Sequence, residues 1–306
     1  MSIFEDLDRR LAITPPLHLL SQYALTNVKA ALHAHTHHRV YLIESDQGTY
    51  VLRVQHVSTR PRLEQEGGHL AILAERGLPV PSIVLTAQGD STAVDGEEVG
   101  LLMRLLPGER PTLETVDEAL MARAGQLLAA VHGHSAPDSP LSEGDALFGE
   151  RGFYPLAALR LRLTALQQEA LRRVWSVLED TLAQVGRCLL HGDFVLHNLL
   201  VNGESLALVD FEYSRFGDAR YDLGSLLWQI RVVPNWPALQ AAFLRSYQDA
   251  GGIIQGELEP WLAVRQLASL HWVAHNRSLV PRAEQVIEQR LRELVDFTVG
   301  GHLQRA

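Results

Sequence analysis

The sequence predicts an α+β fold in two parts: a small, antiparallel β-rich N-terminal lobe and a larger, mainly helical C-terminal lobe. Three observations carry this. Short apolar runs split by turn residues crowd the first hundred positions, longer helical patterns fill the remainder, and Pro107-Gly108 stands where the character changes. The lobes are expected at residues 1–105 and 106–306. A chain of 306 residues is long enough to bury a core in each.

Residues 2–11 read as a short amphipathic helix, with Ile3, Phe4, Leu7 and Leu11 on one face and Thr14-Pro15-Pro16 at its end. Residues 26–32, 40–44 and 49–54 read as strands, the last two joined by the turn Ser45-Asp-Gln-Gly48. Residues 62–76 have helical period and stop at Gly77, ahead of Pro79 and Pro81. Short strands are expected at 83–85, 91–94 and 99–105. Past Pro107 the helical candidates are 113–134, 155–184, 223–231, 237–249, 258–277 and 282–297, with a Gly-, Pro- and Ser-rich loop over 132–153.

The chain turns on one stretch, Cys188-Leu-Leu-His-Gly-Asp-Phe-Val-Leu-His-Asn-Leu-Leu-Val201, followed by Leu206-Ala-Leu-Val-Asp-Phe-Glu212. Its apolar runs, bounded by a turn at Asn202-Gly203, read as short buried strands joined as a hairpin. Asp193, Asn198 and Asp210 then fall at or just beyond strand ends. Phosphoryl transfer needs a carboxylate to orient a hydroxyl and take its proton, together with hard oxygen ligands for magnesium. Asp193 suits the first task, Asn198 and Asp210 the second.

Composition sets outer limits. The net charge of −9 argues against a general nucleic-acid binder and is compatible with a cationic small-molecule substrate. The single cysteine, Cys188, excludes an intrachain disulfide and reads as a buried, inert thiol. No apolar run reaches the roughly 18 residues of a membrane span, and the first residues lack the apolar stretch of a signal peptide. A cytoplasmic protein without a membrane partner is the expectation; oligomeric state is not readable.

His-Gly-Asp-Phe-Val-Leu-His-Asn followed by Asp-Phe-Glu resembles the aminoglycoside phosphotransferase/choline kinase-like family of small-molecule kinases, and the likeness covers nearly the whole chain. It implies a protein kinase-like two-lobed fold and an ATP- and magnesium-dependent enzyme that phosphorylates a hydroxyl of a small molecule. It further implies that Asp193 is catalytic and that Asn198 and Asp210 hold the metal. Arg53, on the third strand, falls where the family has a cation for the ATP phosphates. Glu66 best matches the helix carboxylate paired with it, and Glu64 competes for that role. Leu101-Leu-Met-Arg-Leu-Leu-Pro-Gly108 resembles the hinge, with Met103 lining the adenine pocket and backbone groups of Arg104 and Leu106 meeting the adenine edge. Asp222 resembles the brace beneath the catalytic loop and also suits a helix N-cap. His191 resembles a residue that holds the loop.

Two features depart from the family. The loop Ala34-His-Thr-His-His-Arg39 lacks the glycines that let backbone amides approach phosphate, and His197 stands where glycine is common. His33, His35, His37 and His38 invite a metal reading, but no acidic or cysteine partner accompanies them, and a polar loop is the simpler account. Acceptor-binding residues are expected from the 134–154 loop and from the helices after Asp222, with Trp228, Trp261, His271, Trp272, His275 and Asn276 as candidates. A nucleotide-binding regulatory protein with little activity is the rival reading, favoured by the glycine-free loop and opposed by the intact Asp193, Asn198 and Asp210. A protein kinase is disfavoured, because only twelve positions separate Asp210 from Asp222.

Overall fold

The computed structural model describes residues 15–35, 38–134, 163–182 and 187–300. The helix expected over 2–11 lies outside them, as does most of the 132–153 loop. The chain divides into two compact units, residues 1–107 with 207–212, and residues 108–206 with 213–306.

The first unit opens with a short helix, α1 (Leu17–Leu20), followed by β1 (Lys29–His35), β2 (Arg39–Ser45) and β3 (Gly48–His56). Helix α2 (Arg60–Glu75) precedes β4 (Ala93–Asp95) and β5 (Glu98–Arg104). The strands form an antiparallel sheet in the order β1-β2-β3-β5-β4. The stretch at 83–85, expected as a strand, contributes only an isolated bridge between Ile83 and Met103. Pro79 and Pro81 precede it, and neither has an N–H with which to extend the pairing upstream.

Side chains alternate across β3, so its two faces do different work. Tyr50, Leu52 and Val54 pack with Tyr41, Ile43, Leu102 and the α1 leucines. Arg53 points to the other face, where Leu63 of α2 packs with Val99 and Leu101. On α2 the buried positions Leu63, Glu66, Gly67, Leu70 and Leu73 follow helical spacing. Period 2 on the strand and period 3.6 on the helix therefore bring Arg53 and Glu66 to one buried layer.

The second unit holds α3 (Glu118–His132), capped by the Asp117 carboxylate, which accepts from the Leu120 amide at 2.7 Å. It continues with α4 (Ala165–Leu182) and the strand β6 (Cys188–Leu190). Next come the hairpin strands β7 (Leu199–Asn202) and β8 (Ser205–Leu208), the second of which spans the boundary between the units. Strand β9 (Arg215–Gly217), which the sequence did not suggest, pairs with β6. Four helices follow: α5 (Arg220–Ile230), α6 (Trp236–Asp249), α7 (Glu259–His275) and α8 (Ala283–Gly300). A hydrophobic core joins α7 to α8 through Trp261, Val264, Leu267, Leu270, Ile287, Leu291 and Leu294.

Helices α3 and α6 approach so closely that a Cβ on Gly125 would lie 2.4 Å from the Phe243 carbonyl oxygen and 2.9 Å from the Tyr247 amide. Both obstacles are backbone, so relief requires moving a helix. Gly125→Val is expected to lower the free energy of unfolding by about 1–3 kcal/mol or more, read from denaturant midpoints. An unchanged midpoint would contradict this packing.

Candidate active site

Each unit builds a polar cluster from its own residues. In the second, β6 delivers the chain to His191-Gly192-Asp193, and Phe194, Val195, Leu196 and Leu199 anchor the segment by burial. Phe194 stacks on Phe243 with ring centroids 6.2 Å apart. Asp222, fully buried in the first turn of α5, holds the turn by accepting from the amides of His191 at 2.7 Å and Gly192 at 2.9 Å. The His132 ring lies 3.1 Å from the same carboxylate and 2.9 Å from the Tyr247 hydroxyl. Asp222 is thus a brace and not the N-cap of α5, a position Ala219 occupies.

Burial alone would raise the Asp222 pKa. The bonds to His132 and to the loop amides outweigh it and hold the carboxyl below its usual value. Gly192 has φ +85°, and a Cβ there would lie 2.0 Å from the Tyr213 carbonyl oxygen, so the turn accepts only glycine. The Asp193 amide donates to His191 Nδ1 at 3.2 Å, which gives His191 a structural task.

The carboxylate of Asp193 is gripped from two sides. Asn198 Nδ2 donates to Asp193 Oδ2 at 3.0 Å and to its carbonyl at 2.8 Å, while Arg265 of α7 reaches Oδ1 at 2.7 Å. With its amide nitrogen committed to Asp193, Asn198 keeps its Oδ1 as an acceptor, the atom a magnesium ion would use. His197 sits 3.8 Å from Asp193. Desolvation lowers the His197 pKa, and the positive charges of Arg265 and Arg110 add to this against the pull of Asp193.

In the first unit, Arg53 is buried and forms an ion pair with Glu66. It also meets Asp210 at 3.2 Å and Glu212 at 3.7 Å, and His38 lies 3.6 Å from Glu212. Glu64 turns away, pairing with Arg60 at 2.7 Å. Asp210 adopts φ +68°, a left-handed conformation that aspartate tolerates better than most residues, and its side chain is 41% exposed. Glu66, Asp210 and Glu212 thus converge on one guanidinium, and among the described residues no three His, Cys, Asp or Glu side chains are grouped to hold a metal ion by themselves. Met103 is half-buried beside Leu63, Val99 and Leu101. The Arg104 amide donates to the Ser82 carbonyl at 2.9 Å, and its guanidinium lies over the Tyr50 ring. Leu106 is half-buried just past β5.

The sequence model of the phosphotransferase enzyme family, APH, matches residues 30–264. The chain belongs to this family. Its fold is shared by an amicoumacin kinase solved in complex with AMP-PNP, Ca2+ and Ami, at 16% identity, 97% coverage of both chains and a TM-score of 0.73. A microcompartment-associated aminopropanol kinase matches at 20% identity over 94% of this chain and 98% of that one, with a TM-score of 0.74. A spectinomycin phosphotransferase in complex with ADP and spectinomycin matches at 13% identity over 96% and 100%, with a TM-score of 0.63. No curated protein sequence matches the chain. Among the described residues no helix is long and apolar enough to cross a membrane.

Arg265 and Glu212 are the site residues that sequence reasoning missed. The signal for Arg265 was a lone cation within an otherwise buried run, Trp261 to Leu270. Of the suggested acceptor residues, Trp261 and His271 are buried, Trp272 is 37% exposed, and Trp228 donates to Gln266 at 2.5 Å. Thr36 and His37 of the histidine loop lie outside the described residues. Cys188 is half-buried, and burial pushes its thiol pKa well up, reinforced by Asp222 and Asp218.

Because the folded pKa of Asp222 is depressed, its stabilisation is complete above the unfolded value of about 3.9 and is lost as pH falls through the folded value. Asp222→Ala is expected to cost on the order of 2–5 kcal/mol, since two buried amides lose their acceptor, and to flatten the acid limb of the stability profile. An acid limb unchanged in the variant, measured by denaturant titration between pH 3 and pH 7, would contradict this.

Proposed function

We propose that this phosphotransferase moves the γ-phosphoryl group of ATP, with magnesium, to a hydroxyl of a small molecule. The observation that carries the proposal is the Asp193–Asn198 pair. One amide donates to the carboxylate and retains an oxygen for a cation, so a proton acceptor and a metal ligand are held in one rigid turn. In this reading the first unit serves the nucleotide. Arg53, steadied by Glu66, meets its phosphates, Met103 lines the adenine, and Leu106 with the carbonyl of Arg104 contacts the adenine edge. The Arg104 amide is already engaged by Ser82 and is not available for that contact.

The second unit serves the acceptor. Asp193 accepts a hydrogen bond from the acceptor hydroxyl and takes its proton. The acceptor oxygen then forms a bond to the γ-phosphorus as the bond to the ADP oxygen breaks. Asn198 and Asp210 would hold magnesium, which supplies neutralisation of charge on the phosphate oxygens. Acceleration comes mostly from positioning and charge stabilisation. A cytoplasmic setting, where ATP and magnesium are plentiful, belongs to the same reading.

Asp193→Asn is expected to lower kcat by about 100-fold or more with little change in nucleotide affinity. Arg53→Ala is expected to raise the KM for ATP by about ten-fold or more. Both are read from acceptor-dependent ADP release across a panel of hydroxylated metabolites. ATP binding without transfer to any hydroxyl, or an Asp193→Asn enzyme of normal rate, would favour a regulatory nucleotide-binding protein instead.

A further inference from the structure

Three arginines surround the ring of Trp228 on α5. The guanidinium carbons of Arg231, Arg290 and Arg265 lie 4.7, 4.8 and 5.7 Å from its centroid. Glu293 serves two of them, meeting Arg231 at 3.1 Å and Arg290 at 3.2 Å. It also accepts from Gln266 at 2.5 Å, and Gln266 in turn accepts from Trp228 Nε1. The third, Arg265, meets the carboxylate of Asp193. Three guanidinium groups thus gather around one indole, and a carboxylate that one of them meets is the proposed proton acceptor.

This gathering of cations runs against the chain's net charge of −9. A cationic acceptor brought to Asp193 would meet like charge at close range. An anionic group would instead take over Arg265, whose planar fork suits carboxylate or phosphate, and would free Asp193 Oδ1 for the hydroxyl. We propose that Arg265, beside the Trp228 arginine cluster, selects an acceptor that carries an anionic group near its hydroxyl. The inference rests on the phosphotransfer reading above and departs from the cationic acceptor that the overall charge suggested.

The test compares hydroxypropanoate, hydroxypropanamide and aminopropanol, together with a hydroxylated phosphate ester, on the full chain. Binding is read by calorimetric titration, and turnover by ADP release with ATP and magnesium. The carboxylate or the phosphate ester is expected to bind and react about ten-fold or more better than the amide and the amine. Arg265→Gln is expected to abolish that preference through KM, and Arg265→Lys to retain part of it.

Amide or amine binding as well as the anions would overturn the proposal. So would Arg265→Gln lowering turnover of all compounds equally, since Arg265 would then only position Asp193. Arg265-dependent anion binding without ADP release from any compound would support this inference and defeat the phosphotransfer reading. Release with the amine alone would do the reverse.

Discussion

One buried carboxylate fixes the loop that begins at His191. Asp222 has no exposure to solvent and accepts from two consecutive backbone amides, with the His132 ring as a third partner. A carboxylate this deep persists as an anion only where donors compensate the lost hydration. Because they do, the polypeptide at His191-Gly192 has one available path, and Gly192 follows it in a conformation closed to other residues. The positions of Asp193 and Asn198 are consequences of that path, and the apolar anchors from Phe194 to Leu199 keep the loop from rotating away.

The first unit solves a different problem with similar means. A buried arginine needs an anion, and α2 provides Glu66 because the helical and strand periods coincide at that layer. Asp210 and Glu212 then surround the same guanidinium, so this cluster has more negative than positive charge. In the second unit Arg265 meets Asp193, while Arg231 and Arg290 share Glu293.

Much of this was legible in the sequence because local rules decide it. The strands around Arg53 alternate as an antiparallel sheet requires, and the helices past Pro107 carry apolar stripes. The Asp193 and Asn198 positions were legible because their spacing is set within one tight turn. What was hidden depends on residues distant in sequence. Strand β9 is too short to show a pattern and exists because β6 needs a partner. Arg265 approaches Asp193 across 72 positions, so the sequence shows a lone cation in an apolar run without showing what it meets. Its neighbours in α7 are buried for packing, which disguises a polar residue that serves the site. The segment at 83–85 keeps one bridge, and Pro79 and Pro81 upstream of it lack the N–H groups that would extend the ladder in that direction.

The central claim is that a phosphoryl group leaves ATP for a hydroxyl oxygen. Phosphorus NMR of the protein with ATP, magnesium and pooled hydroxylated acceptors follows that group directly. The account predicts loss of the γ-phosphate signal matched by a new phosphomonoester signal, dependent on magnesium and on an acceptor. Orthophosphate as the sole product, or an unchanged ATP spectrum across the acceptors, would contradict it.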